Sequence, residues 1–122
     1  MSWTYQITSG TLLNLNSIPV GKGYSGHGEG LNNPAKCDVP DVGPIPPGKY
    51  KIGQPHDDHQ VGVFAMPLTP DPSNEMHGRS AFFIHGDNPK LNHTASDGCI
   101  ILPRPVRTDI ANSGDDDLVV EA

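Results

Sequence analysis

Aromatic side chains and positive charge are both scarce in this sequence, and the shortage of positive charge removes two classes of partner. Phe, Tyr and Trp make up 6% of the 122 residues, and 8 Lys and Arg face 14 Asp and Glu, for a formal net charge of -6. A nucleic-acid groove needs clustered Lys and Arg to displace counterions from phosphate, and an anionic membrane surface makes the same demand, so neither partner is expected. No apolar run approaches the roughly 18 residues of a membrane span. The opening Met1-Ser2-Trp3-Thr4-Tyr5 lacks the basic and apolar regions of a secretory leader, so the chain is expected to be made in the cytoplasm and to stay unexported by the usual route. Cysteine is limited to Cys37 and Cys99, which allows one disulfide, or one reactive thiol and a spare. There is no internal repeat.

Turn formers, by contrast, are plentiful. With 14 Gly and 13 Pro, the chain favours short strands joined by many turns, and its length suits one domain, residues 1–122, around one two-layer core. Trp3, Tyr5 and Ile7 alternate with polar residues and predict a strand; Ser9-Gly10 then turns the chain into 11–15, with Leu13 and Leu15 on the buried face. Residues 19–47 read as one long irregular loop that carries Tyr24 and ends in the rigid turn Gly43-Pro44-Ile45-Pro46-Pro47-Gly48. Strands are predicted at 49–52, 61–66, 81–84 and 99–102, with polar connections at 55–59 and 67–78. A single helix is expected at 105–112, started by Pro105 and stopped by Gly114. Asp115-Asp116-Asp117 reads as a solvated turn before a last strand at 118–121.

The chemistry concentrates in residues 81–102, where one apolar run closes on His85 and the next opens on Cys99. If the two runs are neighbouring strands, the link between them carries the imidazole toward the thiol, and an adjacent imidazole can take the thiol's proton as it attacks a carbonyl. In Ser96-Asp97-Gly98-Cys99 the glycine permits a sharp turn that aims backbone amides at a developing oxyanion. Asp87, Asp97 or a carbonyl near Gly86 could orient the ring. Because His85 precedes Cys99, the papain order is disfavoured. Zinc held by His85, His93 and Cys99 lacks a supporting ligand spacing, and His56-Asp57-Asp58-His59 reads as a solvated turn, so no metal is expected. The rival reading is a non-catalytic wall-binding module stapled by a Cys37–Cys99 disulfide.

His85-Gly86, Ser96-Asp97-Gly98-Cys99-Ile100 and the upstream Gly43-Pro44-Ile45-Pro46-Pro47-Gly48-Lys49-Tyr50 together resemble the L,D-transpeptidase catalytic domain family. The likeness is greatest to the small branch of type VI secretion system effectors. It implies a mainly β, β-sandwich-like fold with long loops and one short C-terminal helix. It also implies cysteine-dependent acyl transfer on the peptide stems of peptidoglycan, without a cofactor, in the periplasm of a target cell, and a cognate immunity protein as partner. Carried over, Cys99 is the nucleophile and His85 the base, the Gly86 carbonyl orients the ring, and the amides of Gly98 and Cys99 form the oxyanion hole. Ser96, Asp97 and Tyr24 are expected near the substrate, with Arg79 or Arg104 meeting a stem carboxylate. Two positions depart from the family pattern: Asp97 stands where His is frequent, and Ile101 where Arg is frequent.

Overall fold

In the computed structural model, which describes residues 2–90 and 93–122, the alternation at the start of the chain becomes strand β1 (Trp3–Gln6), with Trp3 and Tyr5 turned into the core. The return strand β2 (Thr11–Leu13) pairs with it antiparallel and sets Leu12 opposite Tyr5. The turn spans residues 7–10 and ends on Gly10 at φ 71°, whose N–H donates to the carbonyls of Gln6 and Ile7. This longer turn corrects the expected face: Leu12 is fully buried, while Leu13 and Leu15 are half-buried. A shift of one residue in register moves every side chain to the opposite face.

The stretch 19–47 is not wholly irregular. It supplies β3 (Pro19–Lys22) and β4 (Tyr24–Ser25), then two short 3-10 turns at Gly28–Gly30 and Pro34–Lys36. Next come β5 (Gly48–Ile52), β6 (His56–Asp58), β7 (Gly62–Pro70), β8 (Phe82–His85), β9 (Ile100–Ile101), α1 (Arg104–Asn112) and β10 (Asp117–Glu121). Two more expectations are corrected here. The polar segment at 55–59 forms β6 and folds back on β7, and β7 itself runs through Pro70 into the predicted connection. Pro105 stands in the first turn of α1, and Gly114 follows its end at φ 75°, as predicted.

The fold is mainly β with one short helix. Its strands make a single sheet in the order β3-β2-β1-β10-β5-β7-β8-β9-β4, with β6 beside β7. The two end strands, β3 and β4, are separated in sequence by Gly23 alone. The Gly23 N–H donates to the Gly10 carbonyl at 2.8 Å, and a Cβ on Gly23 would lie 1.6 Å from the Ile101 carbonyl oxygen. The chain thus steps from one edge of the sheet to the other, and the sheet nearly closes on itself. Inside lie Tyr5, Leu12, Ile45, Met66, Ile84, Ile100 and Leu118, and Val106 and Ile110 of α1 join the same core.

For the site, the decisive pairing is β8 with β9, which run parallel with Ile84 opposite Ile100 and His85 opposite Ile101. Phe82, Ile84 and Ile100 belong to the core. Side chains alternate along a strand, so Phe83, His85 and Cys99 project from the opposite face.

Candidate active site

Cys99 directly precedes β9, and in the β8–β9 register it sits beside Phe83. The Phe83 N–H donates to Cys99 Sγ at 3.3 Å, and Sγ lies 4.0 Å from the Ala81 carbonyl oxygen. His85 ends β8 with Nδ1 2.8 Å from the Gly86 carbonyl oxygen. A carbonyl only accepts, so Nδ1 carries the ring proton and Nε2 offers its lone pair. His85 and Cys99 are both buried, and they share a cleft of about 440 Å³ with Arg79, Ala81, Phe82 and Asp97. Gln60 and Val61, at the turn between β6 and β7, line the same cleft.

Burial pushes the Cys99 thiol up to about 11, with the Phe83 N–H pulling the other way. Burial also holds His85 below the usual imidazole range, opposed by its hydrogen bond to Gly86. Desolvation penalises the charged form of each group, so the resting pair is a thiol and a neutral imidazole rather than an ion pair. Such a pair suits proton transfer during attack, because the base is already free of its proton.

The turn that delivers Cys99 is held by hydroxyls and one guanidinium. Ser96 Oγ accepts from the Gly26 and Gly98 N–H groups at 2.9 and 3.1 Å and donates to the Cys99 carbonyl at 2.6 Å. Ser25 Oγ donates to the Gly98 carbonyl at 2.8 Å and accepts from the Ile45 N–H at 2.9 Å. Arg79 Nη1 donates to the carbonyls of Cys37 and Pro44 at 2.7 Å each, and Nη2 to those of Gly43 and Asp97 at 3.0 Å each. Gly98 is at φ 137°, and a Cβ there would lie 2.4 Å from Arg79 Nη2. The guanidinium therefore joins the 37–44 segment to the turn that carries Cys99. Lysine has no planar fork to serve four carbonyls, and Arg79→Lys is expected to lower stability by about 2 kcal/mol. A lower urea midpoint at unchanged slope is the measurement that checks it.

Residues 20–116 match the family model described as the Tlde1 domain. The chain belongs to the Tlde1 domain family. No curated protein and no solved structure matches it. The Tlde1 match runs from within β3 to the residue before β10, so it contains His85 and Cys99 but leaves out β1, β2 and β10.

In this Tlde1 domain the residues singled out by sequence separate into three groups. His85, Gly86 and Cys99 come together as described, and Asp97 stands exposed at the cleft, its carboxylate 3.6 Å from His27 Nδ1. Ser96 and Arg79 serve the backbone: the Ser96 hydroxyl is fully buried and engaged with three backbone groups, which corrects its expected place at the substrate. The Gly98 N–H, expected at an oxyanion hole, donates to Ser96 Oγ. Tyr24 and Arg104 line a different cavity, beyond Gly86. Both cysteines are free, and Cys37 Sγ lies 3.8 Å from His77 Nε2, so the Cys37–Cys99 staple is not formed. His93 packs edge-on against Tyr24 at 4.9 Å, and among the described residues His85, His93 and Cys99 do not gather into a ligand set.

Sequence reading missed Ser25, the Phe83 amide and Arg107. Arg107 is 5% exposed; it donates to the carbonyls of Leu102, Phe64 and Val63 and stands behind Gly86, where a Cβ would lie 2.9 Å from its Nη1. One signal for it was present in the sequence. Arg107 adjoins Val106 on the inward side of the only predicted helix, an unusual place for a guanidinium with nothing to bond.

Proposed function

We propose that this protein is a cysteine-dependent acyltransferase of peptidoglycan stems, with L,D-carboxypeptidase or L,D-transpeptidase outcome. The observation that carries the reading is a buried free thiol and an imidazole whose Nδ1–H is held by Gly86, both in the wall of one cleft. Membership of the Tlde1 domain family supports the setting, an effector of the type VI secretion system directed at the wall of a target cell. The substrate is then the tetrapeptide stem in the periplasm of that cell. A cognate immunity protein covering the Cys99 cleft would protect kin.

Each step follows from a named atom. Cys99 Sγ attacks the carbonyl of the third stem residue, a diamino acid, as His85 Nε2 takes the thiol proton. The Gly86 carbonyl keeps its hydrogen bond to Nδ1–H and stabilises the imidazolium. Negative charge develops on the substrate oxygen, where the Cys99 N–H is the donor. The tetrahedral intermediate collapses to a thioester, and Nε2–H passes its proton to the departing amine of D-alanine. Water or a second amine then attacks the thioester with His85 again as base, giving a tripeptide or an exchanged stem and restoring the thiol.

Purified tetrapeptide muropeptides incubated with the protein are expected to yield tripeptide or exchanged product by mass spectrometry; unchanged stems would reject the reading. The pH dependence gives a sharper test. Activity requires neutral His85, so kcat/KM rises with pH through the imidazole pKa of the free enzyme. Burial depresses that pKa below the ordinary 6.5. The acid limb is therefore expected to have its midpoint below 6.5, and a midpoint above that value contradicts the neutral pair.

A further inference from the structure

A second cavity, of about 690 Å³, opens on the far side of Gly86, and Lys22, Tyr24, Asp87, Arg104 and Arg107 are part of its wall. The whole chain has 8 Lys and Arg and a net charge of -6, yet three of these cations meet here against the single carboxylate of Asp87. That carboxylate is already engaged, accepting from the Tyr24 hydroxyl at 2.7 Å and the Asn88 N–H at 2.9 Å. Among the described residues Arg107 bonds to three backbone carbonyls, which hold it without neutralising it. Arg104 lies over the Phe64 ring at 4.3 Å, which fixes the guanidinium while leaving its N–H groups without a protein partner among the described residues. No carboxylate of the described residues stands within ion-pair distance of Lys22, Arg104 or Arg107. With three cations against one carboxylate, the cavity is a net positive site on an acidic protein.

Its position relates it to the thiol. Cys99 sits beside Phe83, three residues before Gly86, which along a strand is roughly 10 Å. Between the two cavities lies a smaller concavity of about 350 Å³ that shares His85 with the Cys99 cleft and Gly86 and Asp87 with the cationic cavity. The three concavities are thus linked in series by shared wall residues, His85 on one side and Gly86 and Asp87 on the other.

We propose that the cationic cavity is a carboxylate subsite, which holds a free carboxylate of the peptide stem set back from the carbonyl attacked by Cys99. This deepens the reading of the stem as substrate and rests on it. In a stem whose D-glutamate is linked through its side chain, the α-carboxylate of that residue stays free, one residue before the reacting diamino acid. The Arg104 fork can take both carboxylate oxygens, and the flexible Lys22 ammonium adds a point charge. Long side chains on both residues span what the stem itself does not.

Calorimetry on the Cys99→Ala protein separates binding from turnover. Two peptides are compared, the tetrapeptide L-alanine, γ-D-glutamate, meso-diaminopimelate, D-alanine, and the same peptide with the glutamate α-carboxylate amidated. Amidation is expected to weaken binding by about tenfold, the loss of one charge-assisted contact. Adding Lys22→Gln and Arg104→Gln, both at exposed positions, should erase that difference, while Lys49→Gln on the exposed side of β5 should retain it. Equal affinity of the two peptides overturns the proposal, as does failure of both to bind or a preference that survives the double substitution. Turnover by the unsubstituted protein keeps the two claims apart. No tripeptide or exchanged stem from either peptide rejects acyl transfer, while the binding difference still reports on the subsite.

Discussion

Replacement of Cys99 by alanine is expected to reduce release of D-alanine from tetrapeptide stems by at least about 10⁴-fold while leaving the protein folded. The size of the loss follows from what Sγ supplies. It is the thiol of the cleft that holds His85, and without it His85 could at best activate water or a weaker hydroxyl nucleophile against an amide. The stability cost is small by comparison. The lost atoms are one buried sulfur that accepts from the Phe83 N–H at 3.3 Å, so about 1 kcal/mol is expected from urea unfolding. His85→Gln removes the base but keeps a polar side chain, and should fall almost as far because the two groups act as a unit. Unimpaired tripeptide formation by Cys99→Ala, measured by mass spectrometry of the stems, would eliminate thioester chemistry.

Gly23→Ala is expected to have the largest effect on stability of any single methyl addition in the chain, at least about 3 kcal/mol by the urea midpoint. The added Cβ would lie 1.6 Å from the Ile101 carbonyl oxygen and 3.1 Å from the Leu102 side chain. A flexible side chain could swing aside, but the nearer atom is backbone. Moving Ile101 away from Gly23 also pulls on β8, because the next N–H, of Leu102, donates to the His85 carbonyl at 3.0 Å. The variant should therefore lose activity along with stability. Gly28→Ala is the contrast. Gly28, unlike Gly23, has a positive φ, 56°, but nothing lies within 4 Å of where its methyl would stand, so only the left-handed backbone cost of about 1 kcal/mol applies. Similar midpoints for the two variants would mean that Gly23 does not close the sheet.

What could be read in advance was local. Alternation at Trp3 and Tyr5, a proline at the first turn of α1 and a glycine after its end are signals carried by a few neighbouring residues, and each produced the predicted element. That the runs ending in His85 and opening on Cys99 would be neighbouring strands was legible too, and the parallel pairing of β8 with β9 sets both residues in one cleft. Elements made by distant partners were not legible. β4 has two residues, Tyr24 and Ser25, and its partner β9 begins only at Ile100, while β3, whose Pro19 and Gly21 read as loop, folds back on the nearby β2. The same limit applied to side chains. Ser96 and Arg79 sit close to the nucleophile's motif and looked like substrate contacts, but their partners are carbonyls and amides of residues 26, 37, 43 and 44, which proximity in sequence could not reveal.

The position of β10 also sets the order in which the molecule can form. Although last in sequence, it lies between β1, with which it runs parallel from Trp3 opposite Leu118 to Gln6 opposite Glu121, and β5. During synthesis the first hairpin therefore waits for the final strand, and until then the sheet is two separate pieces with exposed inner edges. Contacts of such long sequence separation make folding slow and place it late. A chain halted before residue 117 would carry His85 and Cys99 but no continuous sheet around them. The cleft of His85 and Cys99 thus depends on β10, whose pairing partners are β1 and β5 rather than β8 or β9.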